Sequence, residues 1–394
     1  MTIDASELMS AQAAHRAGKV AEAEAGYNKW LTDHPDEANG LHFLGLLKFQ
    51  TERQQAGVEL VRQSLQIDPH NAHAWNNLGN MLVVEDKPDE AVDAYSKATE
   101  FAPELAVAWY NLGICYRRIK KIEASVASFC KAIELQPADA IVYERFGMLL
   151  YGLGRFPEAA NVYRQWLQIE PGNPVARHML AAMTGEDVPE RANDQYLKKL
   201  FDRFSQSFDE QLAKLGYRAP ELLVSALGEY LPTDGRLIVL DAGCGTGLCG
   251  QLLRSMSQRL VGVDLSDGMV AKARERNTYD ELVVAELCAF MRSRSGTFDV
   301  VISADTLVYF GALEEAATAA RGALRTDGVL AFTVERLDAD GSPYVIQPHG
   351  RYAHRLDYVH RTLVDAGFRR VDTRDVVLRK ERNQDVNGLL VVAR

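Results

Sequence analysis

Gly45, Gly79, Gly113 and Gly147 stand 34 residues apart, and Pro35, Pro69, Pro103, Pro137 and Pro171 keep the same interval. Two independent markers on one period mean that the first half of the chain repeats one supersecondary unit. Between them recur AWNNLGNML, AWYNLGICY and VYERFGMLL, then EAVDAYSKA, EASVASFCKA and EAANVYRQW. Each copy holds two stretches with apolar residues at helical spacing. Gly79 and Ala91 fall where the paired helices must approach closely. Pro103 ends a helix because it has no N–H to give and disfavours helix before it. No copy can bury its apolar face alone, so the copies must stack into a superhelix with a concave groove.

The order of aromatic, Leu-Gly, small residue, aromatic and terminal Pro resembles the tetratricopeptide repeat over residues 4–173, about five units. Ala11 replaces the glycine in the first unit, as in a capping repeat, and NPVARHMLAAM caps the far end, so this domain is placed at residues 1–183. The resemblance implies a protein or peptide in the groove. Some members clamp a C-terminal carboxylate with a Lys/Asn/Asn/Lys/Arg set; the corresponding residues here are Asn76, Asn80, Asn111, Ile141 and Arg145. Both lysines are missing, which argues against such a clamp. Asn76, Asn80, Asn111 and Arg145 are left either as peptide contacts or as solvated polar residues.

The 394 residues exceed one ordinary domain. Net charge is −10, and residues 1–190 carry −9 of it, with 17 Lys+Arg against 26 Asp+Glu. Neither half has the basic excess of a nucleic-acid binder, so no nucleic-acid partner is expected. No apolar run approaches the ~20 residues of a membrane span, and the start lacks the order of a signal peptide. Five scattered cysteines without a CxxC pair predict neither a disulfide frame nor a metal site, and a cytoplasmic protein.

Beyond a polar linker, TGEDVPERAND, apolar runs alternate with helical patterns: RLIVLD, GLCGQLLRSM, RLVGVD, GMVAKARER, ELVVAE, FDVVISAD, LEEAATAARGAL and GVLAFTVE. Strands each followed by a helix predict a parallel sheet covered on both faces. The end, GFRRVDTRDVVLRKERNQDVNGLLVVAR, reads as two strands joined by a polar turn, an antiparallel pair.

The first strand runs into LDAGCGTG. A P-loop needs GxxxxGK[ST], and no Lys follows Gly247. A dinucleotide fingerprint needs glycine at 248, which is leucine. The observed GxGxG after Asp241 resembles the first motif of S-adenosylmethionine-dependent methyltransferases. A parallel sheet closing in a hairpin is similar to their class I, Rossmann-like α/β fold, placed here at residues 236–394. By this resemblance Asp241 holds the methionine ammonium, directly or through water. Gly243, Gly245 and Gly247 let the backbone approach the cofactor, and Asp264, followed by Leu265, takes the ribose hydroxyls. Glu286 and Leu287 meet the adenine. A carboxylate suits the ribose because it accepts from both hydroxyls. FDRFSQSFD resembles the cofactor-covering helix of small-molecule methyltransferases, so residues 184–235 are assigned as linker and lid. Phe201, Phe204 and Phe208 share a helix face, with Phe208 near the cofactor, followed by Tyr217 and Arg218. Together the array, lid and fold resemble bacterial methyltransferases that carry tetratricopeptide repeats.

Candidate bases follow strands four and five: Asp305 and Tyr309, then His349, Tyr352 and His354 in PHGRYAH. Histidine titrates near neutrality, which favours His354 or His349. Arg351 is a candidate for holding an anionic acceptor. The [DN]PP[YF] motif of enzymes acting on base or amide nitrogens is absent, and SADT stands in its place. Two functions are open: methylation of a protein or peptide recruited by the repeats, or of a small molecule, with the repeats used for assembly.

Overall fold

The computed structural model describes residues 6–232, 234–339, 341–381 and 384–394. The chain forms two compact units, residues 1–153 and 154–394.

The first unit is an array of helix pairs, such as Ala72–Val84 with Pro88–Phe101 and Ala106–Arg118 with Ile122–Leu135. The repeated residues have physical jobs. Trp75 and Trp109 each donate Nε1–H to the carbonyl of the preceding repeat proline, Pro69 and Pro103, at 2.8 Å. Gly79 lies under the Tyr95 ring, where an added Cβ would be 2.5 Å from the ring edge. In the first pair the close approach has moved: Ala11 faces Gly26 on the partner helix.

The second unit begins with helices Phe156–Ile169 and Pro174–Thr184. The latter is built into this unit, because buried His178 bonds to the Gly350 carbonyl at 2.7 Å and its ring lies 4.6 Å from that of Tyr196. A cut after residue 183 or after residue 190 would part His178 from both partners. The polar linker is tied down: the Glu190 carbonyl accepts from the N–H groups of Gly311 and Ala312, and the Pro189 carbonyl accepts from the Tyr352 hydroxyl.

The sheet comprises β1 (Leu237–Ala242), β2 (Ser257–Asp264), β3 (Glu281–Val284), β4 (Phe298–Ser303), β5 (Leu324–Arg336), β6 (Tyr344–Ile346), β7 (Tyr352–His354), β8 (Val371–Glu381) and β9 (Gln384–Ala393). Strands β3-β2-β1-β4-β5 are parallel neighbours. β9 then runs antiparallel to β5, and β8 antiparallel to β9, which is the expected closing hairpin; its turn, 382–383, lies outside the described residues. PHGRYAH forms the turn and second strand of a small hairpin: β6 pairs antiparallel with β7, and β7 extends the β4 side of β5 at Glu335–Arg336. Both sheet faces are covered. Leu223, Ala226 and Leu227 of helix Ala219–Gly228 pack on Val239, Val300 and Ile302, so this end of the expected lid is core. Helices Leu287–Arg292, Glu314–Ala323 and Leu356–Asp365 cover the other face. Among the described residues no helix is long and apolar enough to cross a membrane.

Candidate active site

A cavity opens at the C-terminal ends of β1, β2 and β4, where ligands bind in open α/β sheets. Its floor is the glycine turn. Gly243, Gly245 and Gly247 have φ of +83°, +53° and +90°, values that L side chains rarely adopt. Gly243 and Gly245 line the cavity. Gly247 does not; it starts helix Leu248–Leu253 and packs on Tyr279 and Arg276.

The predicted acids behave differently from one another. Asp264 lines the cavity, and its two oxygens accept from the N–H groups of Gly245 and Ser266, both at 2.9 Å. Burial raises its pKa and those backbone bonds oppose the rise. Each oxygen keeps a second acceptor position for a hydroxyl. Glu286 also lines the cavity, but it caps helix Leu287–Arg292 through the Cys288 and Ala289 N–H groups and pairs with Arg191 at 3.0 Å. Asp241 is not on the wall. It lies buried beneath the turn, its Oδ2 accepting from the Tyr279 hydroxyl at 2.6 Å. Its Oδ1 has no partner among the described residues, and burial pushes the carboxyl up to about 7. The orphaned Oδ1 is the Asp241 acceptor left for a partner. Leu265 and Leu287 line the apolar part of the cavity.

The cover is not one helix. Asp194–Phe204 stops and Phe208–Lys214 begins after residues 205–207. The break brings Phe208 within 6.1 Å of Phe201, and Phe201 packs edge-on to Tyr309 at 5.4 Å. Phe201, Phe208 and Tyr217 line the cavity; Phe204 and Arg218 do not. Two acids hold the cover to the loops below: Asp202 accepts from Ser266 Oγ at 2.5 Å and Asp209 from Thr246 Oγ1 at 2.5 Å.

At the far end the wall is Asp305, Tyr309, Arg351 and Arg379. The histidines are elsewhere. His354 is fully buried, its Nε2 set on the carbonyls of Phe310 and Gly311, and burial pushes it down to about 4. Tyr352 is buried with its hydroxyl on Pro189. His349 faces Glu335 at 3.3 Å and is not on the wall. None of the three is placed to take a proton from an acceptor in the cavity. Arg351 is not a vacant anion hook, since its Nε bonds Glu335 at 2.9 Å and its Nη2 bonds Glu381.

Sequence reasoning missed Tyr279, Arg191, Glu335 and Arg379. The fully enclosed Arg379 guanidinium bonds Asp305 at 2.8 Å and Glu381 at 2.7 Å, and also Glu335. An arginine followed by lysine in a terminal strand gave no signal of this.

In the array, Asn111 Nδ2 donates to Asn76 Oδ1 at 3.0 Å and to Asn80 Oδ1 at 3.2 Å, and Asn80 also accepts from the Tyr95 hydroxyl. The three asparagines thus bond to one another, with Asn76 buried, rather than standing as a row of unused amides; Ile141 and Arg145 are exposed.

The cavity residues fit S-adenosylmethionine: a glycine turn whose backbone must come close, a carboxylate at the next strand end with spare acceptor positions, and an apolar slot beside Glu286. Asp264→Ala is expected to weaken binding of this molecule by about 1.5–3 kcal/mol, the value of hydrogen bonds to a charged acceptor. Calorimetry on the folded variant checks it; unchanged affinity removes Asp264 from the ribose role.

Residues 240–332 match a methyltransferase domain family, and residues 44–106 and 106–139 match tetratricopeptide repeat families. The chain is 38% identical over 108 residues to methyltransferase-like protein 27 of Homo sapiens (26% of this chain, 43% of that protein). It is 35% identical over 115 residues to the 18S rRNA (guanine-N(7))-methyltransferase of Bos taurus (29% and 38%). It is 33% identical over 153 residues to the malonyl-[acyl-carrier protein] O-methyltransferase of Geobacter sulfurreducens (35% and 57%). The matches therefore span 38–57% of these relatives' own length, and their names point to unlike acceptors, one of them RNA. Among solved structures, the crystal structure of MamA aligns with TM-score 0.38 at 23% identity, covering 41% of this chain and 94% of that one. The chain carries tetratricopeptide repeats and a methyltransferase domain of the class I type, whose cofactor is S-adenosylmethionine.

Proposed function

We propose that the chain transfers a methyl group from S-adenosylmethionine to an oxygen or nitrogen of a protein or peptide recruited by its repeats. The observation that carries this reading is the cavity itself, with the glycine turn and Asp264 at one end and Asp305 with Tyr309 at the other. We assign residues 1–183 to recruitment, 184–235 to linker and cover, and 236–394 to catalysis. Asp264 holds the ribose, Glu286 and Leu287 the adenine, and Asp241 acts from beneath the turn through Tyr279 and water. The bound cofactor supplies an electrophilic sulfonium methyl. Phe201, Phe208 and Tyr309 keep water from it, and catalysis is mostly positioning. The aromatic cover also favours a second reading, a small-molecule acceptor enclosed with the cofactor.

The test offers methyl-labelled S-adenosylmethionine and the full chain to cell extract separated into protein, RNA and small-molecule fractions. Label in protein supports recruitment by the repeats. Label confined to small molecules transfers the assignment to the second reading, and label in RNA rejects both.

A further inference from the structure

Resting on the methyl-transfer reading, we propose that the acceptor enters the cavity as a hydrogen-bond donor, an amine or a hydroxyl received by Asp305, and that a free carboxylate is not accepted. The engagement of the guanidinium groups at this end of the wall decides it. Two arginines, Arg351 and Arg379, with His349 beside Glu335, face three carboxylates, Asp305, Glu335 and Glu381. All three guanidinium nitrogens of Arg379 are taken, Nε by Glu381, Nη1 by Asp305 and Nη2 by Glu335. Arg351 is shared between Glu335 and Glu381. A carboxylate is held best by a two-pronged guanidinium fork, and both forks are already used within the wall. A fourth carboxylate would find both forks engaged and would crowd three carboxylates already held there, at short range where repulsion is strong.

A donor meets the opposite situation. Asp305 spends Oδ2 on Arg379, while its Oδ1 is buried with no partner among the described residues. Its backbone sits at φ +55°, a strained value for a residue other than glycine, and is held there from the other side by a bond from its N–H to Thr333 Oγ1 at 3.0 Å. Strain and an unused buried acceptor on one cavity-lining residue mark a group arranged for a ligand rather than for the fold. The charge balance of the reaction agrees. The acceptor lone pair forms the bond to the methyl carbon, the carbon–sulfur bond breaks with its electrons passing to sulfur, and the acceptor sheds one proton for each methyl gained. Oδ1 takes that proton and passes it to water. Burial raises the Asp305 carboxyl, opposed by Arg379 and Arg351, which makes it a stronger base than an exposed aspartate.

The experiment labels extract with methyl-labelled cofactor and the full chain, then treats the product with mild alkali. Methyl amines and ethers survive and the label is expected to stay. Release as volatile methanol means a carboxyl ester and overturns the proposal, as does label on guanine N7, an acceptor nitrogen that carries no proton. In the same assay Asp305→Asn is expected to cut transfer by about 100-fold or more, as loss of a general base does. Its affinity for S-adenosylhomocysteine should be unchanged, with part of the rate restored by Asp305→Glu. Wild-type rates in Asp305→Asn overturn the assignment of Asp305. Absence of label from every fraction sinks the methyl-transfer reading itself, which is a different failure from alkali-labile label.

Discussion

Replacing Arg379 by methionine is expected to destabilise the second unit by about 3–5 kcal/mol, the usual cost of breaking a buried ion cluster by removing one partner. The Arg379 side chain is 1% exposed and bonds three acids, so its loss leaves Asp305 without a bonded cation, Glu381 with Arg351, and Glu335 with Arg351 and His349. At about 2–4 °C per kcal/mol for a domain of this size, Tm should fall by roughly 6–20 °C at pH 7. The sign of the pH dependence follows from the acids. Burial pushes Glu335 up, but His349, Arg351 and Arg379 outweigh it and hold the carboxyl well below the usual carboxylate range. A depressed folded-state pKa contributes stability above the unfolded value of about 4.3 that is lost as pH falls. The variant has less of this stability to lose. Asp305, raised by burial and now without its main cation, regains stability on protonation. Both effects narrow the gap between wild type and variant as pH drops toward 4. Melts at pH 7 and 4 measure it; a variant within 2 °C of wild type at pH 7, or a gap that widens in acid, contradicts the cluster's role.

Gly243→Ala should cost about 2–5 kcal/mol from two separable sources. The left-handed conformation costs an L residue about 1–2 kcal/mol. The remainder is overpacking, about 1–3 kcal/mol: the new Cβ would lie 2.5 Å from Thr306 Cγ2 and closer still to its Oγ1. Thr306 is β-branched and stiff, so the turn must move instead. Gly245→Ala is the control. Its φ is also positive, but the nearest atom to its Cβ would be the Phe208 ring at 4.0 Å, so only the strain applies. Denaturant titrations of the two variants should therefore differ, with Gly243→Ala the less stable. Equal losses would show that backbone strain, not the Thr306 contact, makes glycine necessary at 243.

What the sequence made legible is local. The repeat prolines and glycines, the glycine turn, Asp264 at the end of β2 and the closing hairpin all follow from spacing within about 35 residues, and each is found in the fold. The site's deeper parts depend on register between distant strands. Arg379 faces inward because β8 shifts register against β9 between Val377 and Arg379, which buries both Leu378 and Arg379 and defeats the alternation a strand would otherwise show. Tyr279 reaches Asp241 across 38 residues through a side-chain bond that no motif announces. The histidines were misjudged because His354 looks like an exposed loop residue in sequence, whereas β7 pairs on both edges and encloses it. A single helix face for Phe201, Phe204 and Phe208 holds only for a continuous helix, and residues 205–207 interrupt it before Phe208.

The central claim is that S-adenosylmethionine sits between the glycine turn and the aromatic cover. Hydrogen exchange of the full chain, with and without S-adenosylhomocysteine, tests it most directly. The account predicts slowed exchange in residues 243–248, 264–269 and 285–289, together with the cover, 197–212. Unchanged exchange in all four segments at saturating ligand, or protection confined to other segments, would contradict it.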